Sequence, residues 1–90
     1  MKTFGERLRD LRHASGLSLG RLGRKIGRGK GYLSGIENGK VNPPSPKVIR
    51  KLAEALDHDV KELMMVAYVE KAPREIRKEL EEALLPMVAA

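Results

Sequence analysis

Six cations crowd into the middle of this 90-residue chain: Arg21, Arg24, Lys25, Arg28, Lys30 and Lys40, with Lys47 close behind. Among and just beyond them lie three uncharged hydrogen-bonding side chains, Tyr32, Ser34 and Asn42. Lysine offers phosphate a point charge, and arginine offers it a planar fork of donors. Closely spaced, such groups bind a polyanion. The rest of the charge supports this. Residues 1–50 hold twelve Lys/Arg against three acids, whereas residues 51–90 hold six against nine, so the net +6 conceals a basic half and a mildly acidic one. Nucleic acid and an anionic membrane are both polyanions, and a plain solvated face is the uneventful alternative.

Other chemistry finds little material. With no cysteine, neither a disulfide framework nor a thiolate metal site is expected. His13 and His58 lie far apart, and Asp57-His58-Asp59 reads as a helix end followed by a cap rather than a metal site. No serine has a histidine and a carboxylate at a motif spacing, and Gly27-Arg28-Gly29-Lys30-Gly31 lacks the phosphate-loop pattern. No catalytic residue, metal or cofactor is therefore expected. No apolar run approaches 18 residues and the start is polar, so neither a spanning helix nor a secretory signal is expected, and the cytoplasm is the expected location. Three aromatics and no tryptophan argue against a helix lying on a membrane.

The elements that must position these cations are short helices. Thr3 and Glu6 form a capping box ahead of Phe4, Leu8 and Leu11, and Gly16 supplies a stop, which predicts a helix over 4–15. Ser18 caps a second helix carrying Leu19, Leu22 and Ile26, ended by Gly27. A third runs from about 30 to 37 with Leu33 and Ile36 inward, closed by Asn38-Gly39. Asn42-Pro43-Pro44 is an extended connector, and Ser45-Pro46 opens a fourth helix with Ile49, Leu52, Ala53 and Leu56 on one face. Asp59 and Glu62 repeat the capping pattern for a fifth helix over 60–70. Pro73 opens a sixth whose stripe is Ile76, Leu80, Ala83, Leu84 and Met87, interrupted at Pro86. No segment alternates like a strand, so the expected class is all-α.

Two short helices joined by a glycine-containing turn are the sequence form of a helix-turn-helix. The steep crossing needs a small residue, which Gly23 supplies, and the turn needs a positive φ, which Gly27 adopts without steric cost. Leu22, Ile26, Leu33 and Ile36 would pin the pair to the other helices. From Phe4 to about Met64 the chain resembles the Cro/repressor-type helix-turn-helix domain of phage repressors and bacterial xenobiotic-response-element regulators. The resemblance rests on Leu11-Arg12, Gly16-Leu17-Ser18, Leu22-Gly23, Ile26-Gly27, Tyr32-Leu33-Ser34, Ile36-Glu37-Asn38-Gly39, Pro43 and Leu52-Ala53-Glu54-Ala55-Leu56. It implies a five-helix, lambda-repressor-like DNA-binding domain over 1–70, with 71–90 as an additional C-terminal helix for packing or dimerisation. The helix-turn-helix would span 18–37, with a recognition helix over 29–37 in the major groove.

The resemblance also implies roles. Arg28, Lys30 and Ser34 would face bases, Tyr32 a base edge or a phosphate, and Lys40 and Asn42 the sugar-phosphate chain, with Arg21, Arg24 and Lys25 as further DNA contacts. Arg12 and Glu37 would pair and lock the recognition helix to the first helix. Two departures stand out: Leu19 occupies a position where the family often has a phosphate-binding glutamine, and Gly29 and Gly31 bring no side chain to base-contact positions. Direct readout therefore looks sparse. The expected function is a sequence-specific duplex-DNA-binding transcriptional regulator, with repression the expected direction and no ligand-binding domain. Val60, Leu63, Met64, Ala67 and Tyr68 form an apolar stripe on the fifth helix, with Met65, Val66 and Val69 off it. A helix this apolar needs cover on more than one side, so a homodimer through helices 60–70 and 73–85 is expected, against a monomer covered by the sixth helix alone. Three rivals share the fold: an antitoxin holding a toxin through 70–90, a restriction–modification controller, and a protein-binding adaptor.

Overall fold

A computed structural model describes residues 1–88. Those residues form α1 (Phe4–Ala14), α2 (Leu19–Ile26), α3 (Lys30–Glu37), α4 (Pro46–Ala55), α5 (Val60–Lys71) and α6 (Arg74–Val88). Local chemistry accounts for most of the boundaries. Thr3 Oγ1 accepts from the Glu6 amide at 3.1 Å while Glu6 Oε1 accepts from the Thr3 amide at 3.0 Å, satisfying two donors that α1 would otherwise leave open. Ser18 and Ser45 cap α2 and α4 by the hydroxyl alone, accepting from the Arg21 and Val48 amides, with Pro46 at the first turn of α4. α2 ends at Gly27, whose φ of 73° places it in the left-handed region. The equivalent position after α4 is Asp57 at φ 51°, a conformation in which aspartate is tolerated better than most residues.

One apolar cluster joins the helices. Phe4 and Leu8 of α1, Leu22 and Ile26 of α2, Leu33 and Ile36 of α3, Ile49 and Leu52 of α4, and Leu63 and Val66 of α5 all sit inside it. α5 packs against α1, α4 and α6. That placement corrects the expected pattern on α5. Val66 and Val69, off the expected stripe, are buried, whereas Tyr68, on it, is 63% exposed. With α1 and α4 covering α5 from different sides, the buried face is wider than one stripe and rotated away from Tyr68.

The remaining corrections fall at the junctions and on α6. Glu62 does not complete a capping box: Asp59 alone caps α5, and Glu62 is buried against α1. Pro86 does not interrupt α6, which runs two residues past it to Val88. A proline removes one helical hydrogen bond. Here the burial of Val88 in the core cluster holds the final turn. Nor is the expected α6 stripe a buried one, because Ile76 and Met87 are exposed and Leu80 and Leu84 are only half-buried.

Candidate nucleic-acid interface

The site is built on the α2–α3 crossing. A Cβ on Gly23 would lie 2.4 Å from the carbonyl oxygen of Arg28, so only glycine lets the turn that leads into α3 fold this closely onto α2. The Arg28 amide in turn donates to the Gly23 carbonyl at 2.8 Å. Leu22, Ile26, Leu33 and Ile36 point into the core, which turns the opposite faces of α2 and α3 outward.

On those outward faces and the adjoining loops, Arg21, Arg24, Lys25, Arg28, Lys30, Lys40 and Asn42 are all exposed. Among the described residues, no ion pair involves any of these cations. Their charge is thus uncompensated and available to a polyanion. Tyr32 is half-buried, and its ring carries the Arg28 guanidinium 4.9 Å above its centroid. Ser34 is also half-buried, and its Oγ accepts from Asn38 Nδ2 at 3.2 Å. Leu19 packs partly against the core. A Cβ on Gly29 or Gly31 would meet nothing within 4 Å and both residues are exposed, so the start of α3 presents bare backbone to solvent.

Behind this face, α3 is fastened to α1. Arg12 donates from Nε to Glu37 Oε2 at 2.7 Å and from Nη2 to Glu37 Oε1 at 3.0 Å, a two-pronged pair whose side chains are 10% and 3% exposed. The hydrogen bond to Glu37 raises the Arg12 pKa further above its already high value. Arg12 Nη1 also donates to the Leu17 carbonyl at 2.9 Å, which ties the entry of α2 into the same joint.

Three contributors escaped the sequence reading. Arg9 donates to Asn38 Oδ1 at 2.5 Å and to Glu37 Oε1 at 3.4 Å, extending the joint to the end of α3. Gly5 lets α1 lie against α3, because a Cβ there would sit 2.2 Å from the Ile36 carbonyl oxygen. Arg7, with its Nε 3.1 Å from both Glu62 oxygens, fastens α1 to α5, and His58 Nε2 lies 2.9 Å from Glu62 Oε2. The spacing of Arg9 was a usable signal, since positions 9 and 12 share one face of a helix. For Gly5 nothing local pointed to a partner.

Among the described residues, no group of three histidine, aspartate or glutamate side chains is placed to hold a metal ion. Nor is any helix there long and apolar enough to cross a membrane.

Comparison with known proteins agrees with this geometry. Residues 3–63 match the sequence profile of a helix-turn-helix domain family. The chain is 43% identical over 72 residues to the HTH-type transcriptional repressor RghR of Bacillus subtilis, covering 79% of this chain and 53% of that protein. It is 39% identical over 79 residues to the HTH-type transcriptional regulator RghRB of the same organism, covering 87% and 57%. It thus spans little more than half the length of these relatives. A solved structure described as the SinR protein/SinI protein complex superposes with a TM-score of 0.65 at 31% identity, over 93% of this chain and 81% of that one. The profile match, the glycine-gated crossing of α2 and α3, and the outward basic face lead to one conclusion: this chain belongs to the helix-turn-helix domain family.

Proposed function

We propose that this chain binds duplex DNA in the cytoplasm as part of a transcriptional regulator, laying α3 in the major groove. The observation that carries this reading is the uncompensated basic face of α2, α3 and the loop after α3. On it, Arg28, Lys30, Tyr32 and Ser34 face base edges, while Arg21, Arg24, Lys25, Lys40 and Asn42 hold phosphates and sugars. Repression follows from steric exclusion at an operator and is in keeping with RghR, which is described as a repressor. Residues 1–70 are the DNA-binding unit, and 71–90 extend it for assembly. A salt titration on duplex DNA tests the reading. If about six phosphates are gripped, affinity falls roughly 10³-fold between 50 and 200 mM salt. A log–log slope shallower than about −2 would overturn it.

A second observation favours an assembly role for the α5–α6 side. An apolar groove of about 500 Å³ runs between α4, α5 and α6, lined in part by Ile49, Met64, Tyr68, Leu80 and Leu84. We assign it to a second copy of the chain, giving a homodimer that reads two half-sites. A protein partner on the same face is the competing occupant: the SinR structure is that of a complex with another protein.

A further inference from the structure

The side chains that α3 presents for reading bases are few. Gly29 and Gly31 carry none, and Ser34 already accepts from Asn38. Lys30 offers a point charge on a flexible stem, which can reach a guanine acceptor but without the fixed direction of a planar fork. Arg28 is different in kind, because it is held at both ends. Its amide donates to the Gly23 carbonyl at 2.8 Å, and its own carbonyl is seated where only glycine at 23 leaves room. At the far end its guanidinium lies 4.9 Å over the Tyr32 ring. A cation held over a ring face is limited in how far it can swing, while its N–H donors stay available to a further partner. No carboxylate competes for those donors, since Arg28 forms no ion pair among the described residues.

Resting on the reading of this face as the DNA interface, we infer that Arg28 is the principal base reader, selecting guanine through a paired contact to O6 and N7, and that Tyr32 is its positioning residue. An arginine fork matches the two major-groove acceptors of guanine and no other base. Ordering a free arginine side chain costs entropy at the moment of binding. Tyr32 has already restricted this one, so the contact is made at smaller cost and with a fixed direction. The glycines of α3 fit the same arrangement, because bare backbone beside Arg28 lets the helix settle deeply enough for the fork to reach the base edge.

The experiment begins with sequences selected from random duplex DNA, in which a guanine should recur at a fixed place in each site. Replacing that guanine with 7-deazaguanine removes the N7 acceptor and should weaken wild-type binding roughly tenfold. Arg28→Met, an exposed change that keeps the length of the side chain but removes every donor, should abolish most of this sensitivity. Tyr32→Leu should reduce it beyond any general fall measured on random-sequence duplex, and Tyr32→Phe should restore it; thermal melts confirm that each variant is folded. Selected sites without a recurrent guanine would overturn the inference, as would full deazaguanine sensitivity in Arg28→Met or Tyr32→Leu. Those failures leave a protein that still binds duplex DNA with a steep salt slope. Failure of the underlying reading would instead show as weak, salt-insensitive binding to every duplex.

Discussion

Two glycines three residues apart in α2 make opposite demands. A Cβ on Gly20 would meet only the end of the flexible Arg24 side chain, at 3.7 Å, whereas one on Gly23 would drive into the Arg28 carbonyl at 2.4 Å. Gly20→Ala should therefore stabilise the domain by roughly 0.5 kcal/mol, through the lower backbone entropy of the unfolded chain. That corresponds to about 2–4 °C in melting temperature. Gly23→Ala should cost roughly 1–3 kcal/mol as the turn at Arg28 is pushed away from α2. Thermal melts of the two variants check both signs, and a destabilised Gly20→Ala would show a constraint at that position beyond steric space. Gly23 and Gly27 were legible in the sequence because a helix-turn-helix demands small residues at set offsets within one short segment. Gly5 was not, because the carbonyl it accommodates belongs to residue 36 and no local pattern connects the two.

α1 is held by two buried carboxylates from different helices, Glu37 of α3 and Glu62 of α5. The Glu37 pair was readable, because the resemblance carried both Arg12 and Glu37. The Glu62 pair was not: Glu62 stands three residues after Asp59, where a local capping box explains it fully, and its actual partner Arg7 is 55 positions away. The buried face of α5 held the missed signal, because Glu62, Val66 and Val69 lie at i, i+4 and i+7 and a carboxylate on such a face requires a partner. Burial pushes the Glu62 carboxyl up, but hydrogen bonds from Arg7 and His58 outweigh it and hold the pKa below its ordinary value of 4.5. A carboxyl depressed in the folded state stabilises the protein above its unfolded pKa, and that stabilisation is lost as pH falls through the folded value. Urea midpoints should accordingly drop as pH falls below about 4.5. Glu62→Gln should be roughly 1–3 kcal/mol less stable at pH 6, because the amide keeps one acceptor for the partly exposed Arg7 but loses the charge. Its further loss on acidification should be smaller than that of the wild type. Glu6 and Asp10, also depressed, would supply the residual slope. Equal acid losses in the two proteins would refute the assignment.

At the scale of the whole molecule, charge and apolar surface are largely segregated. The basic face lies on α2, α3 and the loop after α3, while four of the six large exposed apolar side chains among the described residues, Tyr68, Ile76, Leu85 and Met87, belong to α5 and α6; Met1 lies ahead of α1 and Val41 in the loop after α3. Hydropathy alone indicated that α5 needed cover on more than one side. Which side stays open depends on how α1, α4 and α6 pack, and that was not written locally. A dimer closed through the open α5–α6 side would present two α3 helices together, and the duplex then sets their separation. Half-site centres should lie about 10–10.5 base pairs apart, one turn of the helix. Linking two half-sites in this manner raises affinity by roughly 10²–10⁴ over a single half-site, because the second contact becomes intramolecular. The double variant Tyr68→Glu, Leu84→Glu places like charges in the groove without touching the basic face. In sedimentation equilibrium at roughly tens of micromolar, above the micromolar limit of standard-size interfaces, the wild type should be a dimer and the variant a monomer. On DNA the variant should lose most of its preference for a paired over a single half-site, while its salt slope per half-site stays the same. A wild-type monomer with an unrepeated footprint would leave the α5–α6 groove to a different protein and reduce the DNA site to a single half.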